Sequence, residues 1–292
     1  MSELMGNTKQ LSFEIEARIP DRPLLVLRPA KGWPSLQSKD LWAHRELLYF
    51  LAWRDLKLRY KQTLLGVVWA LIQPLFPMII FTLVFGTLAK MPSDGIPYAV
   101  FIYAGLLPWT YFANAVGNSA GSVVGSANLV SKVYFPRMII PASSILVALV
   151  DFCVASVLLL VLMAWYDLSG HAGLLVLPVL IILLTVLSLA VGMFFAALTV
   201  RYRDIRYALP FAIQVWMFAT PVVFPTSLVP SGWQWLLMLN PMTGIIDGFR
   251  SALFGRPFDW AALAASTAFT AVGILLAAYS FRRLERTFAD VI

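Results

Sequence analysis

Long runs without a single Asp, Glu, Lys or Arg constrain this chain more than anything else in it. There are 28 such residues between Lys61 and Lys90, 37 between Asp94 and Lys132, and 33 between Asp167 and Arg201. A further 40 lie between Arg206 and Asp247, and 22 between Asp259 and Arg282. The stretch from Arg137 to Asp167 is broken only by Asp151. A charge at mid-bilayer costs roughly 2.5–3.5 kcal/mol on insertion scales, and about 20 helical residues cross the hydrocarbon, so each run holds at least one crossing. Composition agrees, with 60% of the 292 residues hydrophobic and only 13% charged, where a soluble domain carries about 25% charge. An ordinary cytosolic enzyme, a disordered tail and a nucleic-acid-binding domain are excluded. Despite a net charge of +7, no nucleic-acid partner is expected.

The 40-residue run is long enough for two crossings, but Pro221, Pro225 and Pro230 interrupt it and Trp233 and Trp235 follow. We read one span there, followed by short helices that dip into or lie on the outer interface. The basic residues favour six spans over seven. With both termini inside, 19 of the 22 Lys and Arg fall on the inner side, leaving Lys90, Arg250 and Arg256 outside, a strong positive-inside signal. A seventh span would put Arg282, Arg283 and Arg286 outside. The expected fold is an all-α membrane protein with spans at about 64–88, 97–120, 138–165, 173–199, 207–224 and 260–281. Residues 1–40 carry both signs of charge and several prolines without a central apolar stretch. They are expected to form a cytoplasmic N-terminal arm and not a cleavable signal peptide.

Residues 41–61 contain no Gly or Pro and predict a helix. At 100° per residue, Trp42, Tyr49, Trp53, Leu56 and Tyr60 fall on one stripe flanked by basic residues, the pattern of a helix lying in a membrane interface. Arg54, Lys57, Arg59 and Lys61 would suit a lipid diphosphate headgroup or, equally, ordinary anionic lipid. Gly117, Gly121 and Gly125, one turn after Ala113, form a small-residue ridge that predicts close helix packing. The compact inner segments ANLVSKVYFPR (127–137) and RYRDIR (201–206) are either docking surfaces for a soluble partner or turns that hold the topology.

Several chemistries are missing. There is no GxxxxGK[ST] phosphate loop, no HExxH, and no Cys-rich metal spacing. Cys153 is the single cysteine, and His44 and His171 lie far apart in the chain. Asp151, the one carboxylate at membrane depth, would relay protons or, more in keeping with its lack of a basic neighbour, serve as a hydrogen-bonded packing residue. Aromatic residues are abundant instead: Tyr98, Phe101, Tyr103, Trp109, Tyr111, Phe112, Trp216, Phe218 and Phe224. Such rings suit a conduit for a sliding glycan, or they are belt and core residues.

Three segments carry a resemblance: LAWRDLKLRYKQTLLGVVWALIQPL (51–75), RYRDIRYALPFAIQVWMFATPVVFP (201–225) and NPMTGIIDGFRSALFG (240–255). Together they resemble the permease subunit of ABC type-2 polysaccharide exporters, including Wzm-type O-antigen permeases and the capsule and teichoic-acid exporters. The likeness runs over about residues 41–290. It implies a homodimer of six-helix subunits in the bacterial inner membrane, paired with two cytoplasmic ATPase subunits that bind ATP and Mg. This chain would bind no cofactor or metal and would have no catalytic residues of its own. The implied cargo is a polysaccharide on undecaprenyl diphosphate, moved from the cytoplasmic to the periplasmic face. Residues 41–61 would be the interface helix, 124–136 a coupling segment, and 226–255 gate helices before the last span. Arg54, Lys57, Arg59 and Lys61 would guide the headgroup. Tyr98, Tyr103, Trp109, Tyr111, Phe112, Trp216 and Phe218 would line the passage. Lys132, Tyr134, Phe135, Arg137, Arg201 and Arg203 would couple to the ATPase. The competing readings are an ABC type-2 permease for a drug or small lipid, and a membrane-embedded glycan enzyme working alone.

Overall fold

The computed structural model describes residues 42–61, 66–133, 135–168, 171–285 and 288. The expected arm at 1–40 and Tyr134 lie outside the described residues, as do Gln62 to Leu65. Among the described residues there is no strand. The helices are α1 Arg45–Lys61, α2 Val68–Phe81, α3 Tyr98–Gly125, α4 Ala127–Lys132, α5 Ile139–Trp165, α6 Leu177–Arg201, α7 Ile205–Phe218, α8 Gln234–Met238, α9 Pro241–Phe254 and α10 Trp260–Glu285.

Five segments are long and apolar enough to cross a bilayer: Val68–Leu88, Tyr98–Gly125, Ile139–Trp165, Ala172–Arg201 and Trp260–Glu285. The first is irregular. Pro74 and Pro77 lie inside α2, each removing a backbone donor, and the helix widens into a π-helical stretch at Thr82–Leu88. The second, α3, is the central pillar. Its most apolar window is 78% buried, against 17% for Val68–Leu88, and it packs between α5 and α6. Lipid is as apolar as leucine, so burial area alone does not hold such helices together; close fit and hydrogen bonds do. The α3–α6 contact is that close at Gly192, where an added Cβ would stand 2.6 Å from Ser119 Oγ.

The sixth expected crossing, near 207–224, is not one long helix. α7 has 14 residues, about 21 Å of helix at 1.5 Å per residue. The chain continues beyond it through Ala219–Pro225 without helix, and Ser227 then reaches Asp94 in the connection between Val68–Leu88 and α3. Non-helical backbone at this depth is tolerated only where protein covers it, and Thr220, Val222 and Val223 are buried. After α8, the chain returns to the end of α7 at Asn240, and α9 runs outward again, buried against α3, α6 and α10.

Lys132, Arg137, Arg201, Arg203 and Arg206 cluster at one end of the bundle with the last turn of α10, where Phe135, Met138, Val200 and Phe281 form a second apolar core. We call this the basic end. The opposite end carries the connections at 89–97 and 255–259 and the described residues 166–168 and 171.

Two packing expectations change. A Cβ added at Gly117, Gly121 or Gly125 would meet nothing within 4 Å among the described residues, so there the small-residue ridge makes no tight contact within the subunit. Arg250, counted among outer loop charges, is instead 3% exposed inside the bundle.

Candidate functional site

The interruption after α7 is where the structure concentrates its polar chemistry. A broken helix frees carbonyls that must find donors. Arg250, projecting from α9, supplies two: Nη1 donates to Pro221 O at 2.7 Å and Nη2 to Val222 O at 2.6 Å. Its guanidinium also lies 3.8 Å from the centre of the Phe101 ring, with Asp247 3.8 Å away one turn back on α9. Gly105 makes the approach possible, because a Cβ there would stand 2.7 Å from Arg250 Nη2. The Tyr98 hydroxyl donates to Val223 O at 2.8 Å. Asn240 ties the two broken ends together. Its Oδ1 accepts from Met242 N at 3.1 Å, capping α9, and from Trp216 Nε1 at 3.0 Å; its Nδ2 donates to Thr220 Oγ1 at 2.8 Å.

Above this brace, at the opposite end, Arg256 pairs with Asp94 at 2.7 Å and Ser227 donates to the same carboxylate at 2.9 Å. These residues, with Asp247, Arg250 and Asp259, line a cavity of about 360 Å³. Burial pushes the Asp247 carboxyl up to about 6, and the Arg250 charge only partly offsets this. Burial also acts upward on Asp94, but hydrogen bonds from Arg256 and Ser227 outweigh it and leave that carboxyl below its ordinary range.

The seven aromatic residues expected along a passage do not share one surface. Tyr103, Trp109, Tyr111 and Phe112 on α3 are buried within the subunit. Tyr103 donates to Ala155 O at 2.9 Å and Tyr111 to Thr185 Oγ1 at 3.1 Å. Trp216 stacks edge-on against Phe112, with ring centres 5.1 Å apart, and against Trp109 at 6.4 Å. Tyr98 is half-buried. Phe218 is 62% exposed, and with Tyr207, Phe211 and Val215 it leaves a bare apolar stripe along α7. In this conformation only Phe218 of the seven presents most of its surface outside the subunit fold.

The four basic residues of α1 are likewise divided. Arg59 pairs with Asp151 of α5 at 2.6 Å, and the Tyr60 hydroxyl donates to the same carboxylate. Asp151 is therefore a packing residue with a basic partner from α1, not the solitary acid expected from its sequence neighbours. The contact sits 12 residues into α5, about 18 Å along the helix. Arg54 is held by Asp55 at 2.8 Å, and Lys57 lies over the Trp53 ring at 5.2 Å. Lys61 is exposed. Leu47, Leu48 and Leu51 of α1 pack into the basic-end core, while Trp42, Tyr49 and Trp53 stay exposed.

At the basic end, Lys132, Arg201 and Arg203 are exposed. Phe135 is buried in the local core. Arg137 is anchored to the end of α10, its backbone N–H donating to Glu285 Oε1 at 3.1 Å and its Nη1 to Glu285 O at 2.6 Å. A second cavity, of about 350 Å³, opens here between the ends of α3, α4, α6 and α7. Val124, Ala127, Thr199, Val200, Arg203, Arg206 and Tyr207 line it. Among the described residues, no group of His, Cys, Asp and Glu is placed to hold a metal ion.

Sequence reasoning missed Arg250, Asn240, Gly105 and the Asp94–Arg256 pair. A signal was present for two of them. Asn240-Pro241 is a helix-start signature, and Asp247 with Arg250 places an i,i+3 charge pair on an otherwise apolar helix.

The family model for the ABC-2 type transporter matches residues 46–254. The chain is 30% identical over 257 residues to an O-antigen export system permease protein, RfbA, of Myxococcus xanthus, which covers 87% of this chain and 98% of that protein. A Klebsiella pneumoniae protein of the same description is 26% identical over 85% of this chain and 95% of its own length. A polysialic acid transport protein, KpsM, of Escherichia coli is 24% identical over 68% of this chain and 78% of its own length.

Proposed function

The chain belongs to the ABC-2 type transporter family, and from that premise we propose that it is the permease subunit of an O-antigen-type polysaccharide exporter in a bacterial inner membrane. The observation that carries this reading is the near end-to-end alignment with the Myxococcus xanthus O-antigen permease. The polymer would travel on undecaprenyl diphosphate from the cytoplasmic to the periplasmic side. Two copies of the chain would pair with two copies of a separate ATPase that binds ATP and Mg.

The basic end is then cytoplasmic, as the excess of Lys and Arg there favours. Its segment 124–136, with Lys132 exposed, and the 201–206 connection form the surface on which the ATPase would push. Lys132 and Arg201 are exposed on that surface, and Arg137 links it to α10 through Glu285. Arg54, Lys57 and Lys61 would meet the headgroup from α1, with Arg59 held back by Asp151. The aromatic residues of α3 support the passage from behind, and the stripe on α7 faces it. Conformational work is expected at the interruption after α7, because a 14-residue helix joined to a covered irregular segment is the part of the crossing least fixed by regular hydrogen bonding.

Deleting the gene in its host and following surface polysaccharide tests the reading directly. Long-chain surface polymer should disappear and lipid-linked polymer should accumulate inside, with both reversed by the intact gene. Unchanged surface polymer in the deletion strain would refute the proposal. Alanine at Lys132 and Arg201 together should reduce stimulation of the partner ATPase while leaving insertion intact.

A further inference from the structure

We infer that the basic-end cavity is a phosphate-recognition site for a lipid headgroup, with Arg203 and Arg206 as its ligating groups. The two guanidinium groups line one cavity of about 350 Å³, and none of its described lining residues is a carboxylate. Asp204 lies between them in sequence but does not line the cavity. Neither arginine has an ion-pair partner among the described residues. Two like charges facing a shared concave space repel, and an anion between them relieves the repulsion. Planar guanidinium forks match phosphate oxygens in pairs, so a phosphate or diphosphate suits the site better than a single carboxylate does.

Position selects a lipid as the source of that phosphate. Tyr207 shares the cavity wall and is 81% exposed; from it Phe211, 71% exposed, then Val215 and Phe218 descend along one face of α7. Spacings of four, four and three residues keep them on one side of a helix. A headgroup held by the arginines would thus have a continuous apolar track for its chain, and a tyrosine at the boundary is what a membrane interface favours. An acidic loop from a soluble partner would satisfy the arginines but leave this track uncovered. Basic pockets between membrane helices at the cytoplasmic side bind anionic headgroups by the same physics. This site is separate from the α1 basic flank, and it holds whichever polymer the chain carries.

The test uses the full-length chain, purified in neutral detergent, delipidated, and titrated with one lipid at a time. Bound lipids are counted by native mass spectrometry. The probes are phosphatidylglycerol, undecaprenyl diphosphate and, as the phosphate-free control, diacylglycerol. The wild-type chain should bind phosphate-bearing lipid at least tenfold more tightly than the Arg203→Ala/Arg206→Ala variant, with no difference for diacylglycerol. Loss for phosphatidylglycerol identifies a resident lipid as the occupant; loss only for undecaprenyl diphosphate identifies a carried one. Either result supports the site. The Arg203→Lys/Arg206→Lys variant should retain part of the binding, and Arg203→Gln/Arg206→Gln serves if the alanine pair purifies poorly. Equal binding by wild type and variant for both phosphate lipids overturns the inference. So does an equal loss for diacylglycerol, or a variant that loses only its ATPase partner.

Discussion

The two cavities lie at opposite ends of the bundle, have nearly the same volume, and each contains two arginines. They differ in what surrounds those arginines. At the opposite end, Arg250 and Arg256 sit among Asp94, Asp247 and Asp259, and Arg250 spends its donors on the carbonyls of a broken helix. At the basic end, Arg203 and Arg206 line a wall that includes no described carboxylate. Arginine alone therefore does not mark a ligand site. A guanidinium whose charge and donors are matched within the fold is part of the scaffold, and one left unmatched beside a cavity is available to something else.

The sharpest way to break this comparison is to remove one arginine from each side. Arg250→Ala should lower stability by about 3 kcal/mol, because two buried carbonyls lose charged donors and a gap opens under Phe101. Thermal unfolding in detergent reads this, and hydrogen exchange over 219–225 should accelerate. Arg203→Ala/Arg206→Ala should shift stability by no more than about 0.5 kcal/mol, as exposed side chains without partners do. If both variants melt alike, matching of charge does not separate scaffold from site.

A third cluster extends the rule to the side of the bundle. Asp151 is matched by Arg59 and Tyr60 from α1, so it should behave as scaffold. Asp151→Ala is expected to cost about 2 kcal/mol by leaving the Arg59 guanidinium without its carboxylate. Protease cutting between 45 and 61 should become faster as α1 loosens from α5. An Asp151→Asn variant that transports normally and melts a little lower would fit a packing role, while a transport defect with intact stability would point to proton relay.

Much of this architecture was legible before any coordinates. Runs broken at most by Asp151 marked each of the five long apolar segments, because a charge in hydrocarbon is costly wherever it occurs, and the prolines at 221, 225 and 230 marked the place where helix would fail. The sequence did not show how the failure is repaired. Arg250 looks like a loop cation to any count of charges, and only the fold reveals that it stands beside the carbonyls of 221 and 222, 29 and 28 residues away. The aromatic residues part company for a related reason. Tyr103 and Phe218 both present a six-membered aromatic ring, but helical period places one in the α3 core and leaves the other on an unpacked face of α7. A residue-type inventory has no access to that difference. The pairing of Arg59 with Asp151 spans 92 positions, and nothing local signals it.

Acidity sharpens the comparison within the opposite-end cavity. Asp247 has a folded-state pKa of about 6, above its unfolded value, so the folded state holds the proton more tightly. Its ionised carboxylate costs stability at neutral pH, and that cost fades as pH falls from 7 through 6. Asp94 has the opposite sign. Its carboxyl is held low by Arg256 and Ser227, so its contribution persists above the ordinary carboxylate range and disappears only in stronger acid. Between pH 7 and 5, then, Asp247 alone of these two titrates, and wild type should gain about 1 kcal/mol relative to Asp247→Asn. Melting curves for the two proteins at pH 7, 6 and 5 read the difference. Parallel curves would mean that Asp247 is not protonated in this window.

The smallest expected effect is the most local. Arg256 and Asp94 are each more than a quarter exposed, and ion pairs in such settings contribute about 0.5 kcal/mol once water and salt screen them. Arg256→Ala should therefore barely move the melting temperature. It joins the 255–259 connection to the 89–97 connection, however, and through Asp94 to Ser227. Hydrogen exchange at 226–228 and 93–96 should rise severalfold in the variant, while exchange at 222–223, braced by Arg250 deeper in the same cavity, stays unchanged. If exchange rises equally in both places, the pair and the brace are one cooperative unit, and the closure at this end cannot open without breaking the irregular segment after α7.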